Sequence, residues 1–179
     1  MAIAESISGD MVIGHATAYC MAMEGLSDIV PTRAAAALRA IALEMERVAN
    51  HIGDLGKLSH AIAYLPGASA FGRLQGHFLN LLMDYSGNRY GRGLLSIGGV
   101  RTGLDRTAWK RFLDQLDKDQ SEFRSVANQM FNAPAVHSSF EKTGVLSEQL
   151  AREVGLVGPA ARASGLSRDV RRDFPFGLF

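Results

Sequence analysis

The side chains able to do chemistry fall into three short stretches. Near the start, Asp10 and His15 set a carboxylate and an imidazole five residues apart. Such a pair can relay protons, because histidine titrates near neutrality. The plainer role is structural: Asp10 caps a helix beginning there, and His15 is a hydrogen-bonded interior histidine. The capping preference alone accounts for an aspartate at a helix start. Further on, Glu44, Arg47 and His51 step by three and then four, so they share one helix face. That line can carry protons or hold a neighbouring subunit; on an open surface it is an ion-pair row worth roughly 0.3–0.5 kcal/mol per pair. The third stretch, RASGLSRDVRRD, mixes Arg162, Arg168, Arg171 and Arg172 with Asp169 and Asp173. Alternating signs in a chain of net charge +1 suit a subunit interface or a cleft-lining loop better than nucleic acid.

Other candidates carry less. His60, His77 and His137 lack ligand spacing, and no HxxxH or HExxH word is present, so zinc is not expected. Cys20 lies between Tyr19 and Met21 and reads as a packing residue. A lone cysteine excludes an internal disulfide, a multi-cysteine metal site and an iron–sulfur cluster held by this chain.

The elements that position these residues are helices. The longest is RAAAALRAIALEMERVANHIGDLG, with an apolar stripe at Leu38, Ile41, Met45, Val48, Ile52 and Leu55 stepping 3, 4, 3, 4, 3. It starts near Pro31 and reaches Gly53 or beyond, where Gly53 and Gly56 end or bend it. A small-residue helix over residues 10–26 precedes it. A third over 69–85 carries Phe71, Leu74, Phe78, Leu81 and Tyr85. A fourth opens on the N-cap Asp105 and runs to Phe131 with Trp109, Phe112, Leu116, Phe123, Val126 and Met130. Asp119 and Gln120 interrupt that stripe, which marks an exposed portion. Between the third and fourth, the glycines of residues 91–105 exclude helix, and a strand over 94–97 with a turn at Gly98-Gly99 is expected. Beyond Pro134, Ser147 caps a short helix through Arg152, and GLVGPAARASGL reads as loop.

These stripes predict one mainly α domain over residues 1–179, an antiparallel helix bundle with a short Gly-rich strand and turn. Each stripe needs another to cover it, at about 25 cal/mol per square ångström. At 47% hydrophobic and 21% charged residues, the composition suits a folded core. Neither a signal peptide nor a membrane-length apolar run is present, so the expectation is an intracellular chain without a direct membrane span. The apolar FPFGLF ending suggests an interrupted chain.

Five words in order carry a resemblance: SGDMVIGHATAYCMAMEGL, PTRAAAALRAIALEMERVANHIGDLG, FGRLQ, GNRYGRGLLSIGGVRTGLD and TGVLSEQLAREVGLVGPAARASGLSRDVRRD. Together they span nearly the whole chain. It resembles the large subunit of nickel–iron hydrogenases of the membrane-bound, formate-hydrogenlyase type. It equally resembles the homologous subunit that lines the quinone pocket of respiratory complex I. Both are longer, so the resemblance implies a central fragment of a larger subunit.

The resemblance also implies a site. Aligned on His15, the hydrogenase C-G-x-C word falls on Ser8, Gly9, Asp10 and Met11. Ser8 and Met11 thus stand where thiolates hold the metals, and a hard hydroxyl with a neutral thioether cannot bridge nickel and iron. The second cysteine pair falls beyond Phe179. The complex I tyrosine that bonds the quinone head group falls on Gly9. An arginine and a histidine near the terminal cluster fall on Ser6 and Gly91. The cleft candidates are therefore Ser8, Gly9, Asp10, His15, Arg162, Arg168 and Asp169, and the interface candidates Glu44, Arg47 and His51. The function implied is that of a redox-subunit fragment of a membrane-associated hydrogenase or NADH:quinone oxidoreductase-like complex, inactive in isolation. It implies no metal in this chain, 4Fe-4S clusters in a small iron–sulfur partner, membrane subunits as further partners, and a quinone in the parent complex. Its expected place is the cytoplasmic face of the cell membrane. The alternative is a metal-free structural or assembly paralogue.

Overall fold

Thr32 ends an extended stretch, and its hydroxyl accepts from the Ala35 amide at 3.2 Å, which starts the longest helix. The computed structural model describes residues 1–101 and 105–178. Part of the expected Gly-rich segment, residues 102–104, and the final phenylalanine of FPFGLF lie outside the described residues. The chain divides into two compact units, Met1–Ala133 and Pro134–Phe179.

The first unit opens with a single 3-10 turn at Ala4–Ser6. It continues with α1 (Val12–Ser27), α2 (Arg33–Ala61), α3 (Leu65–Ser86), β1 (Leu95–Ser96), β2 (Gly99–Val100) and α4 (Arg106–Phe131). The mainly α bundle with a short strand–turn insert is what the stripes predicted. A connection of residues 62–64 joins α2 to α3, the hairpin lies between α3 and α4, and α2 packs on α3 and α3 on α4. Asp105 caps α4 as expected, accepting from the Ala108 amide at 2.7 Å. The hairpin pairs Leu95 with Val100 and Ser96 with Gly99, so the turn falls on Ile97 and Gly98 rather than on the two glycines. Gly98 takes φ +77°, a conformation that suits glycine.

The α3 stripe is buried throughout: Phe71, Leu74, Phe78, Leu81 and Tyr85. That of α2 differs from expectation. Met45 and Ile52 of the stripe are buried and Leu38, Ile41, Val48 and Leu55 only half-buried, while Ala35, Arg39, Ala42, Glu46, Ala49 and Gly53 share the deep face. Small side chains let α2 approach its neighbours closely. Neither Gly53 nor Gly56 ends the helix; a Cβ at Gly53 would meet the Gln75 side chain, so the glycine serves packing against α3. Asp119 is a second difference. It is 1% exposed rather than on an open face, because His77 Nδ1 stands 2.8 Å from its Oδ1 and Gln115 Nε2 donates to the same oxygen at 3.0 Å. One turn away, Arg73 bonds Glu122, so α3 and α4 are joined by polar clasps as well as by Phe71 against Phe123.

Charge also ties α1, α2 and the hairpin together. Arg39 donates from Nη1 and Nη2 to the two carboxylate oxygens of Glu24 at 3.1 and 2.6 Å. Its Nη2 also donates to the Ser96 carbonyl at 2.7 Å, and Glu24 Oε1 accepts from the Gly98 amide at 2.7 Å. The Arg39 guanidinium holds the Glu24 carboxyl below the ordinary range.

The second unit holds α5 (Pro134–Phe140), α6 (Glu148–Glu153), α7 (Gly158–Ala163) and α8 (Val170–Asp173). Ser147 caps α6, accepting from the Leu150 amide at 3.2 Å. The stretch expected as loop contains α7. Pro159 occupies its first turn, and Ala161 is buried with Ala151 and Leu166.

Removing one member of a buried ion pair strands the other. Arg39→Met is expected to lower the unfolding free energy in urea by about 3–5 kcal/mol. A loss under about 1 kcal/mol would show that the pair does not hold the hairpin.

Candidate functional site

The segment leading into α1 carries Ser8, Gly9, Asp10 and Met11. Asp10 does not cap the helix. The N-cap residue is Met11, whose side chain makes no capping bond. Asp10 Oδ1 instead accepts from Ser8 Oγ at 2.9 Å. The first amides of α1 are satisfied from another helix: Ile13 N donates to Glu46 Oε2 at 2.6 Å and Gly14 N to Glu46 Oε1 at 2.9 Å. One turn along α2, Asn50 Nδ2 donates to the Asp10 carbonyl at 3.0 Å. Two α2 side chains thus fix the backbone of residues 10–14. Gly14 permits the approach, since a Cβ there would stand 3.3 Å from Glu46 Oε1. His15 follows, half-buried in the first turn.

Opposing effects act on Glu46. Two amide donors and the positive end of α1 favour the carboxylate. Burial and the nearby Asp10 charge favour the neutral acid. Burial is the largest, and the carboxyl is pushed from the ordinary 4.5 up to about 7.

Gly91 is the residue onto which the resemblance places a cluster-side histidine. It has φ +74°, and a Cβ there would run into the Ile13 side chain. Any side chain here would displace Ile13 and strain the backbone. Glu44, Arg47 and His51 are only partly brought together: Arg47 Nη1 is 3.7 Å from Glu44 Oε2, and His51 is exposed. Glu44 and His51 each stand over one of two adjoining apolar grooves of about 390 and 450 Å³, whose walls share Val48, Phe78 and Leu116. In the second unit, Arg162 Nη1 donates to the Arg168 carbonyl at 3.5 Å, and Asp169 Oδ1 accepts from the Arg171 amide at 3.0 Å, capping α8.

Nickel and iron bridged by thiolates do not suit the donors present. Ser8 is turned to Asp10, Met11 is a half-exposed thioether, and Cys20 is buried farther along α1. Among the described residues, no three of His, Cys, Asp and Glu gather closely enough to hold a metal ion. No helix there is long and apolar enough to cross a membrane.

The family model for the 49 Kd subunit of respiratory-chain NADH dehydrogenase matches residues 70–179. The chain belongs to that family. Its curated relatives include the carbon monoxide-induced hydrogenase of Rhodospirillum rubrum, 32% identical over 92% of this chain and 46% of the relative. An NADH-quinone oxidoreductase subunit of Clostridium beijerinckii is 31% identical over 90% of this chain and 44% of the relative. The chain thus spans less than half the length of each. A solved chain of the membrane-bound sulfane sulfur reductase, an archaeal respiratory membrane complex, shares the fold. Its TM-score is 0.80 at 24% identity, covering 87% of this chain and 42% of that one.

Arg39, Glu24 and Glu46 escaped the sequence-based site list. Their signal was present, because they fall on small-residue faces where a charge must be paired. The buried Glu46 sets a pH dependence. Below about pH 4.5 the folded and unfolded 49 Kd-family chain both hold its proton. Between there and about 7 the unfolded chain releases it while the fold retains it. Stability is therefore expected to fall across that window by roughly 3 kcal/mol, then level off. Denaturation of Glu46→Gln at each pH should lose that slope, whatever the substitution costs at a single pH.

Proposed function

We propose that this chain forms part of a redox subunit in a membrane-associated complex of the hydrogenase or NADH:quinone oxidoreductase type, and that it carries no nickel–iron centre. Electrons pass through iron–sulfur clusters of a small partner subunit, and membrane subunits complete the assembly on the inner face of the cell membrane. The observation that carries the second half of this reading is the donor set at the entry of α1. A hydroxyl and a thioether stand where two thiolates are required.

Within this reading, residues 8–11 and His15 face the cleft in which the parent complex binds a quinone, held there by Glu46 and Asn50. Gly9 and Gly91 remove the family's tyrosine and histidine, so a head group there meets backbone amides and Ser8 or Asp10 instead. Glu44, Arg47 and His51 serve the interface with the iron–sulfur subunit, and the apolar grooves beside Glu44 and His51 support that role.

Two measurements test this. Metal analysis of the purified protein is expected to give no stoichiometric nickel; a nickel content near one per chain would overturn the metal-free reading. Affinity purification from the native cell is expected to recover a small iron–sulfur subunit. Recovery of membrane subunits alone would favour the structural paralogue.

A further inference from the structure

The apolar stripe of α2 is covered on one side only. Among the described residues, α2 and α4 both pack on α3 but hardly on each other. The space between them is a trough made of the two adjoining grooves of about 390 and 450 Å³. Phe78 of α3 is its buried floor. Ile41 and Val48 of α2 line one wall, and Leu113 and Leu116 of α4 line the other. The lining runs from Ala40 to Ile52 on α2 and from Trp109 to Phe123 on α4. At the rise of a helix those spans are about 18 and 21 Å, which suits a helix of about 12 to 14 residues. Both walls set their side chains at steps of three and four. Rows with that spacing mesh with another helix laid lengthwise, whereas the alternating side chains of a strand do not match them.

Charge narrows the occupant further. The ionisable side chains of the lining are Glu44, His51 and Asp117, and no lysine or arginine lines either groove. Arg47, outside the lining, stands 3.7 Å from Glu44. Asp117 is exposed and has no ion-pair partner among the described residues. An anionic lipid, or a second copy of this chain seated groove to groove, brings like charge to these lips. A lysine or arginine brings the complement.

We propose that the trough seats one amphipathic α-helix of the iron–sulfur partner subunit, apolar on one face and basic along its edges. This rests on the interface role given above to Glu44 and His51, and it adds the shape and charge of what the partner presents there. The helix covers the open sides of Ile41, Val48 and Leu116 and completes a four-helix arrangement with α2, α3 and α4. Its basic edge meets Asp117 on one lip and Glu44 on the other.

Photo-crosslinking in the native complex tests the seat. A benzophenone amino acid is placed at Leu113, at Gln120 and, outside the lining, at Lys118. Leu113 and Gln120 are seven residues apart on one lip of the trough. Their adducts are expected on the iron–sulfur subunit, about seven residues apart in one continuous helix, and Lys118 is expected to capture neither position. Adducts about three residues apart would mark an extended segment and overturn the helix. So would capture of lipid, of a second copy or of another polypeptide while the iron–sulfur subunit co-purifies. If no iron–sulfur subunit co-purifies, the interface reading falls as well. Two synthetic helices of about 14 residues, alike in a leucine face and edged with lysine or with glutamate, test the charge. Emission of Trp109, the one tryptophan, reports occupancy of the trough. The lysine form is expected to bind roughly 10-fold more tightly, and Asp117→Lys to narrow that preference about fivefold. Equal binding of the two forms, or a preference untouched by Asp117→Lys, would overturn the basic edge.

Discussion

A buried arginine near the start of α2 sets the terms for the first unit. Arg39 must be surrounded by acceptors wherever it lies out of water, and the acceptors it takes come from three places: the Glu24 carboxylate of α1 and the Ser96 and Gly99 carbonyls of the hairpin. A hairpin of two residues per strand has too little ladder to stand alone. Here its carbonyls and the Gly98 amide are fastened to a charge pair inside the bundle. The arrangement fixes where α1 crosses α2, and Glu46, about two turns along the same face, then fixes how α1 begins. Two charges on one small-residue stripe therefore locate both ends of α1.

The helices were legible because their apolar residues recur at spacings that admit little else. The α3 stripe and the Asp105 and Ser147 caps needed only local sequence. What escaped was the choice of face. On α2 only Met45 and Ile52 of the apolar stripe are buried, Leu38, Ile41, Val48 and Leu55 are half-buried, and alanines, a glycine and two charges fill much of the deep face. Hydrophobicity ranks side chains by transfer cost, while close helix approach ranks them by size. The two rankings conflict wherever alanine lines a helix. Asp119 was misplaced for a related reason, since its partner His77 lies on another helix and local pattern carries no trace of the pairing.

The candidate site was legible in part. Residues 8–11 and His15 were found through the order of five words, and the departures at Ser8 and Met11 follow from side-chain chemistry alone. That Asp10 leaves its capping role to Glu46 was not legible, because a cap contributed by a distant helix has no short-range signature. The Arg162, Arg168 and Asp169 group turned out to be held by its own backbone, through the Arg168 carbonyl and the Arg171 amide.

The close approach of Gly91 to Ile13 ties the two positions together. A side chain at one position and the isoleucine at the other claim the same space, and the left-handed backbone at residue 91 adds its own penalty. A larger residue at 91 needs the end of the Ile13 side chain to move aside and a backbone that bears a positive φ without glycine. Gly91 and Ile13 are therefore coupled: what one position accepts depends on the size of the side chain at the other.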